Sequence, residues 1–166
     1  MATTLEDIKD ICEKAGLKPR LLNESVLMFM MKTENYVNSE GSHGAVLFLQ
    51  LIANEKIVKI WCNGAFKVPE NKLNQAAALC IGYHGQDWVA RWWLDRSDGE
   101  LYPEVQVVVD ERALSPDQFM KAAVSTLQAL DRHYEELSAL CATQDGEDVD
   151  PVVTLSSGLT AAVSRG

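Results

Sequence analysis

The side chains that could do chemistry are few and scattered. His43 sits in the polar, glycine-containing stretch NYVNSEGSHG, His84 in GYHGQDW at a helix end, and His133 within the last helical pattern. A general base or metal ligand needs a partner within hydrogen-bond or coordination reach. Cys12, Cys62, Cys80 and Cys141 lie far apart with no C-x-x-C. They read as reduced thiols packed as small apolar groups. Glu135 and Glu136 fall mid-helix among alternating charges, which suits a solvated face. Asp145, Asp148 and Asp150 lack the spacing of an EF-hand loop and its closing Glu, so they read as a charge run and not a calcium site. G-x-S-x-G, a Gly-rich phosphate loop and H-E-x-x-H are all missing from the sequence. The expectation is a protein that is not an enzyme and takes no cofactor or metal. The alternative is a small-molecule site, or a minor active site, near the middle helix and the strand after it. Tyr83, His84, Asp87 and Arg91 would then converge on a deep pocket.

Charge narrows the partners. Lys and Arg total 15 against 24 Asp and Glu, for a net charge of −9. An acidic surface repels phosphate backbones, so counterion release cannot drive nucleic-acid binding, even with Lys56 and Lys59 beside aromatics. Anionic membranes are disfavoured for the same reason. MATTLEDIKD has neither a basic nor an apolar leader region, and the longest apolar runs are shorter than a membrane span. A cytoplasmic protein is expected.

The elements that would position these residues follow an αβββαββα order. TLEDIKDICEKAGL is an amphipathic helix with Thr3 and Glu6 as a capping box and Gly16 as its stop. SVLMFMMKT is a strand, and AVLFLQLIA with KIVKIWCN forms a hairpin turning at Asn54-Glu55. Pro69 opens the middle helix. A second hairpin turns at RSDG, where Gly99 is free to take positive φ. The last helix starts at SPDQF, with Ser115 as N-cap, Pro116 at N1 and Gln118 at N3. It buries one face through Phe119, Ala123, Leu127, Leu130, Tyr134, Leu137 and Cys141. Residues 1–142 are expected to form one α+β domain with a five-stranded antiparallel sheet, and 143–166 an acidic, then small and polar, flexible tail.

Two adjacent tryptophans, Trp92 and Trp93, fix what the second hairpin exposes. Neighbouring strand residues point to opposite faces. With Asp95 opposite Glu100, Trp93 meets Tyr102, Arg91 meets Glu104 and Val89 meets Gln106. On the other face Trp92 meets Pro103, Ala90 meets Val105 and Trp88 meets Val107. The second set is apolar and is predicted to lie under the helices. In the first hairpin Phe48 is predicted opposite Trp61, Gln50 opposite Lys59 and Ile52 opposite Ile57. Trp93, Tyr102, Trp61, Phe48 and Arg91 then share an outward face with the aromatic and arginine mixture of protein interfaces, and they are the expected partner-binding residues.

The KVPENKL run, WWLDRSDGEL followed by EVQVVVD, and SPDQF leading to LDRHYEEL, taken in this order, resemble the YbjN domain family over residues 3–140. That family resembles the type III secretion chaperones in fold. The resemblance implies an α+β domain with helices mainly on one face of an antiparallel sheet. It also implies homodimerisation and protein binding, chaperone-like or regulatory, in place of catalysis. It assigns no functional residue to any position of this chain.

Overall fold

Thr4, and not Thr3, caps the first helix. In the computed structural model, which describes residues 3–52, 54, 56–109 and 113–142, α1 spans Leu5–Lys14. The Thr4 hydroxyl accepts from the Asp7 backbone N–H, and Asp7 reaches back to Thr4. The box moves one residue along because Thr3 is buried, with its hydroxyl accepting the Leu114 N–H at 2.9 Å. The helix stops at Gly16, which takes φ +78°.

All five expected strands form, and two short ones join them. The strands are β1 (Arg20–Asn23), β2 (Val26–Met31), β3 (Ala45–Ile52), β4 (Ile57–Trp61), β5 (Phe66–Lys67), β6 (Arg91–Leu94) and β7 (Glu100–Val108). The sheet is therefore seven-stranded and antiparallel, not five-stranded. β1 and β5 are four and two residues long, too short to carry a period-two signature. Leu101 pairs with both Phe66 and Leu94, while Glu104 pairs with both Trp61 and Arg91. A strand has only two edges, so β5 continues the lane of β4 and β6 lies on the opposite side of β7.

Both predicted hairpin registers hold. Phe48 faces Trp61, Gln50 faces Lys59 and Ile52 faces Ile57, and the turn residue Asn54 takes φ 56°. Trp93 faces Tyr102, Trp92 faces Pro103 and Arg91 faces Glu104. The Asp95 N–H donates to Glu100 O at 2.8 Å, and Gly99 sits at φ +78° as the turn chemistry requires. The pairing ends at Arg91, however, so Trp88, Val89 and Ala90 are not opposite Val107, Gln106 and Val105. Trp88, predicted to lie under the helices, is 96% exposed.

After Pro69 a single 3-10 turn (Glu70–Lys72) leads into α2 (Leu73–Tyr83). α3 (Pro116–Cys141) begins with the predicted Ser115–Gln118 box. The three helices cover one face of the sheet. That face supplies Leu27, Phe29, Leu47, Leu49, Val58, Ile60, Leu101 and Val105, all at most 2% exposed. Phe29 meets Phe119 with ring centroids 5.6 Å apart. Burying eight such side chains contributes about 1.5–3 kcal/mol each, which fixes which face the helices take. Cys12, Cys62 and Cys80 are buried as free thiols and Cys141 is half-buried. The tail expected over 143–166 lies outside the described residues.

Candidate functional site

Directly opposed residues in an antiparallel sheet share a face. Tracing one such set across the sheet gives Arg20, Met28, Phe48, Trp61, Glu104 and Arg91, a single row over all six lanes on the face away from the helices. Beside it run Gln50, Lys59 and Gln106 on one flank, and Tyr102 with Trp93 on the other. The five residues expected from the sequence thus come together on one open face. Arg20 and Met28 complete the row: Arg20 lies on β1, which leaves no recognisable pattern in the sequence, and Met28 lies on the expected strand β2, whose register against β3 puts it opposite Phe48.

The row has internal structure. Phe48 and Trp61 stack, with centroids 5.6 Å apart and planes at 27°. Lys59 Nζ lies 5.0 Å from the Trp61 ring centroid and 5.9 Å from that of Tyr102. The same ammonium stands 2.9 Å from Glu104 Oε2. Glu104 is 1% exposed although it faces away from the helices, because the flanking aromatic and lysine side chains roof it. Its Oε1 accepts from Gln106 Nε2 at 2.7 Å. Oε2 has the lysine charge beside it but no hydrogen bond of good geometry. Such a pair holds position more than it adds stability, since desolvation offsets most of the attraction. Trp93 is 50% exposed and Arg91 is exposed. Burial raises the Tyr102 phenol pKa, against the opposing pull of Lys59.

The alternative residues do not make one pocket. Arg91 is on the open face, opposite Glu104. Asp87 is buried under the helices and fully engaged. Its Oδ1 accepts from Arg132 at 2.6 Å, and its Oδ2 takes the Trp92 indole N–H at 3.1 Å and lies 2.9 Å from His133 Nε2. The Tyr83 hydroxyl donates to Glu136 at 2.7 Å and its ring stacks on His133 at 3.6 Å. Burial, then the Glu136 bond, raises the Tyr83 phenol pKa. Burial lowers the His133 pKa, outweighing the upward pull of Asp87. His84 is exposed and faces the Trp92 backbone N–H at 3.4 Å. The void beside this cluster is about 170 Å³, short of the ~300 Å³ at which small-molecule pockets begin. The cluster's polar atoms are spent on one another, and the arrangement ties α2, β6 and α3 together.

A second exposed apolar set has no counterpart among the residues expected from the sequence. Ile81 in the last turn of α2 and Trp88 and Val89 in the connection to β6 are 74%, 96% and 54% exposed. Trp88 departs from the extended hairpin register because of Asp87. That residue's bonds to Arg132 and His133 hold the chain against α3, and strand pairing begins only at Arg91.

No family model matches the chain, and no curated protein matches it in sequence. Solved structures do match in fold. YbjN from E. coli, described as a candidate transcription regulator, superposes with TM-score 0.60 at 12% identity over 82% of this chain and 95% of that one. The ExsC–ExsE complex gives 0.53 at 15% identity over 85% and 99%. The HopA1–SchA chaperone–effector complex gives 0.50 at 11% over 77% and 89%. In fold the chain is YbjN-like and type III secretion chaperone-like, as its sequence motifs implied.

Proposed function

We propose that this protein is a non-enzymatic interaction module, chaperone-like or regulatory, that holds a partner polypeptide against its open sheet face. The observation that carries this reading is the row from Arg20 to Arg91, flanked by Tyr102 and the half-exposed Trp93, on a face that no helix of the described residues covers. Aromatic and arginine side chains in a fixed array are the residues that dominate binding energy at protein interfaces. The fold likeness to structures described as a chaperone–effector complex and a regulator supports the same class of role. Phe48, Trp61, Arg91, Trp93 and Tyr102 are the proposed contact residues. The net charge of −9 favours a protein partner over nucleic acid or an anionic membrane, and no described helix is long and apolar enough to cross a membrane. We place its action in the cytoplasm.

The protein is further proposed to act as a homodimer, with residues 1–142 as its folded unit. Ile81, Trp88 and Val89 support this, since a nearly fully exposed tryptophan beside two exposed aliphatic side chains suits an isologous contact.

The test is affinity purification with the tagged full chain, followed by binding of the purified partner to the wild type and to Trp61→Ala/Trp93→Ala. The double variant is expected to keep the circular dichroism spectrum and to bind at least tenfold more weakly. Unchanged affinity would remove the open face from the reading. Light scattering tests the dimer.

A further inference from the structure

Where β1 stops, the edge of β2 opens into a groove. β1 pairs only with residues 26–28, so the outer edge of β2 from Phe29 to Met31 has no strand beside it among the described residues. The groove encloses about 510 Å³ and is floored by Met28, Met30 and Met31. Met30 is 62% exposed. Methionine is unbranched and polarisable, and it adapts to whatever apolar side chain enters. Lys18, Arg20 and Lys32 line the same groove, which no carboxylate lines. On a chain of net charge −9 this is a positive island, and none of the three cations is ion-paired among the described residues.

We propose that this groove takes the chain's own C-terminal segment. Glu147, Asp148 and Asp150 would meet the basic rim, and the Val152-Val153 pair would meet the methionines. Sequence and geometry agree on this occupant. The acidic run GEDVD is followed directly by PVVTL, whose β-branched residues suit an extended segment lying along a free strand edge. The reach is short. α3 ends at Cys141, and Ser138, one turn earlier, shares a cavity with His43, which also lines the methionine groove. Asp148 is six residues beyond Ala142, which spans about 20 Å when extended. Glu34 and Glu135 border the cavity on the way and repel an acidic segment, pressing it towards the groove. The cations nearer the helix end are already engaged: Lys72 donates to the Leu140 and Ala142 carbonyls, and Lys67 pairs with Asp98. An outside segment entering the groove must first displace the chain's own. The inference does not depend on what binds the aromatic row.

Carbodiimide coupling of the full chain tests it, because this reagent joins amines to carboxylates only at ion-pair distance. Chains with normal and heavy isotopes are mixed so that links within and between chains differ in mass. The expected result is links from Lys18 or Lys32 to Glu147, Asp148 or Asp150 within single chains, at a yield unchanged by tenfold dilution and lost in Glu147→Lys/Asp148→Lys/Asp150→Lys. Methyl NMR of the methionines gives a second reading. Val152→Asp/Val153→Asp should shift the Met28, Met30 and Met31 signals and leave that of Met120 in place. Links confined to Lys67 or Lys72, links found only between chains, or methionine signals unmoved by both variants would each overturn the proposal.

Discussion

Trp92 donates its indole N–H to Asp87 Oδ2 over 3.1 Å, joining the first strand of the second hairpin to the segment that leaves α2. The same carboxylate holds Arg132 and His133 of α3, so one side chain fixes three elements. Asp87→Ala should cost about 2–3 kcal/mol, because buried donors on Trp92 and His133 lose their acceptor together. Arg132 adds less, being half-exposed and able to turn to water. Urea denaturation measures the loss, and a cost under about half a kcal/mol would contradict the arrangement.

His133 should make stability depend on pH near neutrality. Its folded-state pKa lies below the ordinary imidazole value, with burial as the leading cause. The unfolded chain therefore binds the proton first. Stability is complete above about pH 6.5 and falls as pH drops from there towards the folded pKa. Denaturation midpoints across that range should decline in the wild type. His133→Gln should flatten the trend relative to its own value at about pH 8.

Gly99 is required in the second turn. Its φ of +78° disfavours any L side chain, and a Cβ there would collide with the Val68 carbonyl. That contact cannot simply open, since the Val68 N–H donates to Gly99 O at 2.8 Å. Gly99→Ala should lower stability by about 2 kcal/mol or more, combining backbone strain with the clash. A thermal melt reads this directly.

Trp88 separates assembly from folding. Because it is almost fully exposed, Trp88→Glu should alter monomer stability by no more than about 0.5 kcal/mol. If the chain self-associates through this patch, the variant should halve the mass seen in light scattering. A dimer of unchanged mass would move the contact elsewhere.

The thiols should be nearly inert in the native state. Burial pushes Cys12 and Cys62 up to about 12 and Cys80 up to about 11, so almost no thiolate forms at about pH 8. Cys141 is raised as well but is only half-buried, and it should react first. Time-resolved alkylation with peptide mapping checks the order.

Much of this architecture is legible in the amino-acid sequence. Side chains alternate with period two, and the turns at Asn54 and at Asp98-Gly99 fix where the alternation starts in each hairpin. Trp93 beside Tyr102 and Phe48 opposite Trp61 therefore follow from the sequence, as do the cap at Ser115 and the buried stripe of α3. These features depend on neighbours a few residues apart, where backbone sterics decide. The tertiary structure alone decides the rest. β1 and β5 are held by the strands they pair with, so nothing within their few residues announces them, and Arg20 joins the open row only through the pairing of β1 with β2. Asp87 meets Arg132 and His133 across 45 and 46 positions of chain. That long-range contact ends the hairpin at Arg91 and leaves Trp88 in solvent. Local pattern cannot register such a contact, because its energy exists only once α3 has packed against the sheet.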